Sequence, residues 1–325
     1  MHGARRPANA GQLAGIMHAA FGSQPRAVIR LPGASKKGVY RAVFADDSTA
    51  IVYIWDEAED YWPAASRAGP FSHASGLALF QAAQARLSGL GVRTPQLYLA
   101  DASREQYPAD VAVLEDVPGP TLEDVLRDDP RRAEAPLRRL AEALRLMHAD
   151  KSPSFGKVLH VDSGGPVGSS CEQLVLERAL GDLAEAAARD ARIRQVASQA
   201  QDALWERAAA VLPRSDYSLI HGELGPDHVV LDGRDQPVIV DIEGLMYFDV
   251  EWEHVFLRLR FDRSYDVLHR SGLDQDRLKL YSLAMHLSLV AGPLRLLDGD
   301  YPDRQVMLDI SEYNLQQVLL LLSDP

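Results

Sequence analysis

The sequence predicts an α+β fold, with a small β-rich part at the N-terminus and a larger, mainly helical part after it. Three short runs rich in apolar residues, at 27–31, 39–44 and 50–55, are separated by turn residues, as in an antiparallel sheet. From residue 121 onward, apolar residues recur mainly at helical spacing. The chief exception is a segment near residue 230, which has the pattern of a β-hairpin.

Composition and charge limit the classes of function. The chain has 325 residues, of which 46% are hydrophobic and 25% charged, as is ordinary for a soluble globular protein of one large domain or two lobes. The formal net charge of −12 argues against nucleic acid as the main partner, because phosphate binding needs a basic surface. An acidic surface suits a cationic small substrate, but it is also a common route to solubility.

Neither export nor membrane insertion is indicated. Arg5 and Arg6 are followed by Pro7, where a signal peptide needs an apolar run. Apolar stretches such as 318–322 are far too short to span a bilayer. The single cysteine, Cys171, allows no internal disulfide. We therefore expect a cytoplasmic protein without a membrane partner.

The elements follow from periodicity and turn residues. The N-terminal part is predicted to contain helices at 10–21 and 75–90 and strands at 27–31, 39–44, 50–55, 96–100 and 110–114. A turn rich in glycine, serine and lysine, 32–38, separates the first two strands. Among the later helices, one is predicted to begin at residue 122 and one to end at His148. Residues 172–212 are predicted to form two helices, with a break near Asp190 or Ser198. A loop at 246–254 is followed by predicted helices at 255–268, 275–291 and 304–322.

Residues 218–243 place polar clusters around two apolar runs. The runs 229–231 and 238–240 flank a turn that contains glycine and proline, which predicts a β-hairpin. The clusters are His221, Gly222, Glu223, Asp227 and His228 before the hairpin, and Asp241 and Glu243 after it. Because a hairpin folds its outer ends together, an acid, an imidazole and a second acid should converge there, which is the geometry of a site.

These residues resemble the catalytic segment of the aminoglycoside phosphotransferase family, relatives of choline kinases and protein kinases. That family has His-Gly-Asp, four residues, Asn, a hairpin, and then Asp, an aromatic residue and often an acid. This chain keeps the order and spacing but has Glu223 and His228 at two central places. Macrolide phosphotransferases, a branch of the family, resemble this chain in having a His at the place of His228. The resemblance implies a bilobal protein-kinase-like fold, with an N-lobe at 1–116 and a C-lobe at 117–325.

The resemblance also implies roles for the segment. Glu223 stands where the family has its catalytic base, and its carboxylate reaches one methylene further. His228 stands where the family has a metal-binding Asn. Magnesium prefers oxygen ligands, so His228 is either a poor direct ligand of the metal ion or a hydrogen-bond partner of a phosphate or a metal-bound water. Asp241 matches the main Mg²⁺ ligand, and Glu243 either ligates a second ion or forms a salt bridge. His221 is expected to hold the catalytic loop.

The nucleotide site implied by the resemblance lacks its usual ion pair. The turn bearing Ser35, Lys36 and Lys37 corresponds to the loop over the phosphates, but Tyr53 stands where the third strand carries a Lys or Arg. The helix at 75–90 has no Glu to pair with such a base. Lys36, Lys37 and Arg41 are the nearby substitute cations. The hinge between the lobes places backbone groups of Glu115 and Val117 at the nucleobase edge.

Phosphotransfer from ATP or GTP to a hydroxyl group of a small molecule, with Mg²⁺ as cofactor, is the function that the resemblance implies. The partners would be a nucleoside triphosphate and a small-molecule hydroxyl acceptor, an antibiotic or other secondary metabolite. The departures from the motif leave a catalytically inactive kinase-like binding or regulatory protein as the alternative. A metal-dependent hydrolase built on His221, Glu223, His228 and Asp241 is disfavoured, because His-x-Glu is unlike the helix-borne zinc motifs.

Overall fold

The computed structural model describes residues 7–62, 69–164 and 170–323. Arg5 and Arg6 lie outside this range. The chain forms two compact units, of which the first contains Met1–Trp62, Phe71–Arg139 and Pro226–Gly244 and the second contains Pro63–Pro70, Leu140–Gly225 and Leu245–Pro325. Since both units are discontinuous in sequence, the single lobe boundary expected at residue 117 stays a prediction.

The strands and helices are as follows. The strands are β1 Ala27–Arg30, β2 Gly38–Val43, β3 Thr49–Trp55, β4 Leu97–Asp101, β5 Asp110–Glu115, β6 Lys151–Ser152, β7 Gly156–Lys157, β8 Tyr217–Ile220, β9 Val229–Leu231, β10 Pro237–Ile239 and β11 Met246–Phe248. The helices are α1 Ala10–Phe21, α2 Leu77–Gly89, α3 Leu122–Asp128, α4 Glu134–Ala149, α5 Val158–Asp162, α6 Cys171–Arg189, α7 Ala191–Ala210, α8 Val250–Phe261, α9 Tyr265–Leu268, α10 Gln275–Leu296 and α11 Arg304–Ser323.

The first unit is built on a five-stranded antiparallel sheet with the order β1-β2-β3-β5-β4. The central strands β3 and β5 contain runs of buried residues, Val52–Ile54 and Val111–Leu114, which agrees with sequences that are apolar on both faces. Helix α1 begins with a capping box between Asn9 and Gln12 and contributes Leu13, Ile16 and Met17 to the core of the sheet. The predicted strands and helices of this region are confirmed.

The hairpin of β9 and β10 belongs to the same unit, and its backbone is tied to two neighbouring segments. The N–H of Leu231 donates to the carbonyl of Pro120 at 2.9 Å, and the N–H of Ile239 donates to that of Arg93 at 2.9 Å. Gly119 passes so close to the hairpin that a Cβ there would lie 1.8 Å from the Leu231 carbonyl oxygen. The predicted hairpin and the segment after β5 are therefore packed together, and residue 119 must be glycine.

The second unit combines a small antiparallel sheet, of order β6-β8-β11-β7, with long helices. Helix α10 packs against α6, α7, α8 and α11. The break between α6 and α7 falls at Asp190, which caps α7, and this decides between the two breaks that the sequence allowed. No helix in the described part of the chain is long and apolar enough to cross a bilayer.

The predicted loop at 246–254 and helix at 255–268 were wrong in detail. Residues Met246–Phe248 form β11, which pairs with both β8 and β7, and α8 starts at Val250. Its helix ends at Phe261, and Asp262 has a positive φ of 44°. The error has a physical cause, because three-residue strands buried on both faces have no alternating pattern to read.

Replacing Gly119 with Ala tests the close approach of the hairpin. The added Cβ meets a backbone oxygen that cannot rotate away, so we expect the free energy of unfolding to fall by about 1–3 kcal/mol. Gly233→Ala is the matched control in the same unit, because a Cβ at Gly233 meets nothing within 4 Å. Chemical denaturation of the three proteins measures the difference, and equal stability of both variants would contradict the packing described.

Candidate active site

Asp241 sits just after β10, on a backbone with a φ of +58°. This left-handed conformation is uncommon for a residue with a side chain, and such strain of about 1–3 kcal/mol persists only where surrounding structure imposes it. The carboxylate remains 41% exposed. The hairpin therefore presents a strained, accessible acid at its end, where the sequence predicted a site.

Lys37 joins the two acids that follow the hairpin. Its ammonium lies 2.6 Å from Asp241 Oδ1 and 2.6 Å from Glu243 Oε1, although the residue itself is only 5% exposed. Lys37 immediately precedes β2, whereas its two partners lie about two hundred positions later in the chain. A buried ammonium needs such partners, because an uncompensated charge in the interior is very costly.

The charges of this cluster support one another. Burial alone disfavours the charged form of Lys37, but the attraction of Asp241 and Glu243 outweighs it and raises the pKa of the lysine. Burial likewise opposes ionisation of Asp241, but Lys37, His228 and Lys36 lower the pKa of its carboxyl. Both groups are therefore charged at neutral pH.

Glu243 is the most enclosed member of the cluster, at 3% exposed. Its Oε1 also accepts a hydrogen bond from the indole nitrogen of Trp55 at 3.3 Å. Within the described part of the chain, its Oε2 is buried without a hydrogen-bond partner. Buried carboxylate oxygens are normally hydrogen-bonded, so this oxygen is available to accept one further contact.

Tyr53, in β3, lies directly beside the cluster. The Lys37 ammonium is 4.7 Å from the centre of its ring, a distance at which a cation is attracted to the aromatic face. The ring packs edge-on against Trp55 and Phe80, with centroids 5.9 and 5.8 Å away. Burial raises the pKa of its hydroxyl. The ring of Tyr53 therefore covers one side of the ammonium, and its hydroxyl stays neutral.

Ser35 and Lys36, the other residues of the predicted phosphate turn, bond to residues of neighbouring segments. The carbonyl of Ser35 accepts the N–H of Tyr61 at 2.9 Å, and its hydroxyl accepts the indole N–H of Trp62 at 3.0 Å. The carbonyl of Lys36 accepts the hydroxyl of Ser75 at 2.8 Å. Of the three substitute cations that the sequence offered, Lys37 alone is fully enclosed with two acids.

Arg41 and the predicted hinge have other partners. Arg41 donates to both carboxylate oxygens of Asp116, at 2.5 and 3.0 Å. The carboxylate of Glu115 accepts from Arg93 at 2.6 and 2.7 Å and from the N–H of Gln96 at 3.0 Å. Burial opposes ionisation of Glu115, but the bonds from Arg93 lower the pKa of its carboxyl.

Val117 completes the predicted hinge. It is 8% exposed, and its carbonyl accepts the N–H of Gly119 at 3.0 Å. This tight turn precedes Gly119, which is pressed against β9. The predicted nucleobase segment thus continues from the end of β5 into a turn at the buried Val117.

His228 lies at the start of the hairpin, close to Asp241. Its Nε2 is 3.8 Å from Asp241 Oδ2 and also 3.8 Å from Asp227 Oδ2. Its carbonyl accepts the N–H of Val240 at 3.0 Å, which closes the hairpin. The structure therefore brings His228, Asp241, Glu243, Lys37 and Tyr53 together, as the spacing predicted for the first three.

His221, Gly222 and Glu223 belong to the second unit. His221 is 2% exposed, whereas Glu223 is exposed. The backbone N–H groups of His221 and Gly222 each donate to one oxygen of the Glu253 carboxylate at 3.0 Å. Burial opposes ionisation of Glu253, but His148, His221 and Gly222 lower the pKa of its carboxyl. This carboxylate, on α8, fixes the loop that presents Glu223.

Glu253 is the functional residue that sequence reasoning missed. The carboxylate of Asp249, the residue just before α8, makes no capping bond and binds Arg277 and Tyr281 instead. His148, near the end of α4, is buried with its Nε2 3.3 Å from Glu253. The available signal was an acid one turn inside an apolar helix, which needs a partner when buried.

No group of three or more His, Cys, Asp and Glu side chains that could hold a metal ion by themselves occurs in residues 7–62, 69–164 and 170–323. Mg²⁺ commonly binds to one or two carboxylates and completes its shell with waters and substrate phosphates. The accessible carboxylate of Asp241 and the unpaired Oε2 of Glu243 fit that kind of incomplete site.

The chain is similar to a known protein family and to several solved structures. The model of the phosphotransferase enzyme family matches residues 45–282. Among curated proteins, no sequence matches this chain significantly. Among solved structures, the aminoglycoside phosphotransferase APH(4)-Ia superposes with a TM-score of 0.66 at 15% identity, over 97% of this chain and 98% of that one.

Two further structures are similar at comparable identity. Spectinomycin phosphotransferase APH(9)-Ia, in complex with ADP and spectinomycin, has a TM-score of 0.65 at 12% identity, covering 97% of this chain and 99% of its own. Choline kinase LicA from Streptococcus pneumoniae has a TM-score of 0.62 at 14% identity, covering 96% and 98%. At such identities the likeness concerns the fold, and it confirms the predicted α+β, kinase-like fold.

Replacing Glu253 with Gln tests the anchor of the loop. Glutamine has one carbonyl oxygen, so one of the two backbone N–H groups loses its acceptor, at a cost of about 1–3 kcal/mol. We expect amide hydrogen exchange at one of these two groups, His221 or Gly222, to become about fivefold to a hundredfold faster, because 1.4 kcal/mol is a factor of ten. The exposed Glu177→Gln is the control, and unchanged exchange in Glu253→Gln would contradict the anchor.

His254, next to the anchor, should make the second unit sensitive to acid. Burial and the nearby His148 lower the pKa of His254 to about 3. Between its ordinary pKa of about 6.5 and pH 3, the unfolded chain binds a proton that the folded protein does not, so stability falls as pH falls. Between pH 7 and 5 this loss is about 2 kcal/mol.

The variant His254→Asn should lack this loss, as measured by denaturation of the variant and the wild type at pH 7 and pH 5. The exposed His269→Asn serves as the control and should follow the wild type. Identical pH dependence of His254→Asn and the wild type would show that the buried imidazole is not responsible.

Proposed function

Because this chain belongs to the phosphotransferase enzyme family, we propose that it moves the γ-phosphate of ATP or GTP to a hydroxyl group of a small molecule. The observation that carries the proposal is the state of Asp241. Its carboxylate is ionised, accessible and held on a strained backbone at the end of the hairpin. Such an acid is suited to hold a metal ion that carries nucleotide phosphates.

Mg²⁺ is the proposed cofactor. When bound, it would neutralise charge on the phosphates that develops during transfer. Asp241 would be its main ligand, and Glu243 is the candidate for further coordination. His228, whose ring nitrogen is a poor direct ligand for this hard ion, would contact a phosphate or a metal-bound water.

Glu223 is the proposed general base. It would accept the proton of the acceptor hydroxyl, or position that hydroxyl, on the exposed loop fixed by Glu253. The loop backbone supports this role, since Gly222 has a φ of +87° and turns the chain sharply just before Glu223. His221 would remain structural, because its backbone N–H takes part in the anchor.

The nucleotide would lie along the first unit. The turn carrying Ser35, Lys36 and Lys37 would cover its phosphates with backbone N–H groups and ammonium charge, beside Tyr53. Backbone groups of Glu115 and Val117 would recognise the nucleobase. Structures similar to this chain were crystallised with ADP and with AMP-PNP, which supports ATP as the donor.

The acceptor would be a small molecule bearing a hydroxyl group, such as an antibiotic or other secondary metabolite. The similar structures were solved with hygromycin B and with spectinomycin, which are acceptors of this class. The net charge of −12 would favour a cationic acceptor. The second unit, with its long helices α6 and α7, is where the family builds its acceptor pocket.

A kinase-like protein without catalysis is the second candidate. The absence of a basic residue at Tyr53 and of an acid in α2 favours it, because the usual phosphate-binding pair is lost. This candidate predicts that the protein binds a ligand but transfers no phosphate to any hydroxyl acceptor.

The test is nucleotide binding by calorimetry, with ATP and GTP, each with and without Mg²⁺, followed by an acceptor screen by mass spectrometry. We expect Mg²⁺-dependent binding of one nucleotide. In the transferase assay, Glu223→Gln should lower kcat by about 10²–10⁴-fold while leaving nucleotide affinity unchanged. The exposed Glu206→Gln is the control. Full activity of Glu223→Gln would remove its role, and absence of binding to both nucleotides would contradict the function.

A further inference from the structure

The first unit contains a buried ion pair at the position where the chain lacks the usual phosphate-binding pair. A base on β3 is replaced by Tyr53, and the sequence of α2, Leu77–Gly89, contains no acid that could orient one. Losing both members leaves no lone buried charge, which would be costly. A chain that still binds phosphates must then obtain its cation from another element.

Lys37 is placed to supply that cation. It precedes β2, and β2 pairs with β3 so that Val39 lies opposite Tyr53. The ammonium lies 4.7 Å from the centre of the Tyr53 ring, so it occupies space next to the replaced base. The distance to Asp241 Oδ1 of 2.6 Å places it beside the accessible acid of the cluster.

Glu243 is placed to supply the acid. It accepts a hydrogen bond from Lys37 at 2.6 Å and from the Trp55 indole at 3.3 Å, and only 3% of it is exposed. Helix α2, which lacks the acid, packs directly against the turn Ile242–Gly244 that carries it. The acid that contacts the ammonium therefore lies on the turn that packs against α2, the helix that carries the acid in the family.

We propose that Lys37 and Glu243 form a relocated ion pair in which Lys37 binds the phosphates of the donor nucleotide and Glu243 orients its ammonium. An ammonium has three N–H donors, and in this structure Asp241 and Glu243 take two of them. The third donor is the one for a phosphate oxygen. The inference rests on the proposed function, because it names the residue that holds the nucleotide in that reaction.

The test compares a nucleoside triphosphate with its nucleoside, using whichever base the wild type binds. Lys37→Met alone leaves Glu243 buried and uncompensated and risks misfolding, so the decisive protein is the double variant Lys37→Met, Glu243→Gln, which removes both charges. We expect its affinity for the triphosphate, measured by calorimetry, to fall by about tenfold to a hundredfold below that of the single variant Glu243→Gln, which already lacks the candidate metal contact. This is the loss typical of one hydrogen bond to a charged group. Its affinity for the nucleoside should be unchanged.

Arg30→Met is the matched control. Arg30 is a partly buried cation of the same sheet, paired with Glu59 at 2.9 Å, so its loss removes an ion pair away from the cluster. It should weaken stability without a selective loss of triphosphate affinity. Equal weakening of nucleoside and triphosphate in the double variant, or wild-type affinity for both, would overturn the relocated pair while leaving the function standing. A wild type that binds neither nucleotide would overturn both.

Discussion

The buried contact of the Lys37 ammonium with Asp241 and Glu243 is the interaction on which the candidate site depends. It ties the start of β2 to the two acids after the β9–β10 hairpin, across most of the sequence. Each charge is stable in this partly buried environment only because the opposite charge lies beside it. The same cluster keeps Asp241 ionised and fixes the carboxylate of Glu243 against Trp55. Geometry and protonation of the site thus have one common cause.

Backbone contacts hold the candidate functional segments of each unit in place. Gly119 lets the segment after β5 approach the hairpin, and the hairpin in turn places Asp241 in its left-handed conformation. In the second unit, Glu253 fixes the backbone just before Glu223, because its carboxylate accepts hydrogen bonds from two backbone N–H groups there. In each case a glycine or a buried acid holds a functional loop in one conformation, as preorganised sites require.

The sequence predicted much of this fold because its strongest signals are local. Periodic apolar residues defined α1, α2 and the strands of the first sheet, and turn residues defined the hairpin. Strands β6, β7, β8 and β11 were not found, because two to four buried residues carry no periodicity. The convergence of His228, Asp241 and Glu243 followed from hairpin geometry. The contacts of Lys37 and Glu253 did not, since contacts between residues far apart in the sequence leave no spacing pattern.

The central claim is that one lysine outside β3 serves the nucleotide phosphates. A crystal structure of the protein with Mg²⁺ and a non-hydrolysable nucleotide tests it most directly. The account predicts that Lys37 Nζ lies within hydrogen-bond distance, about 2.7–3.2 Å, of a phosphate oxygen while still bonded to Glu243. It would be contradicted by a bound nucleotide whose phosphates contact another cation, with Lys37 still enclosed between Asp241 and Glu243.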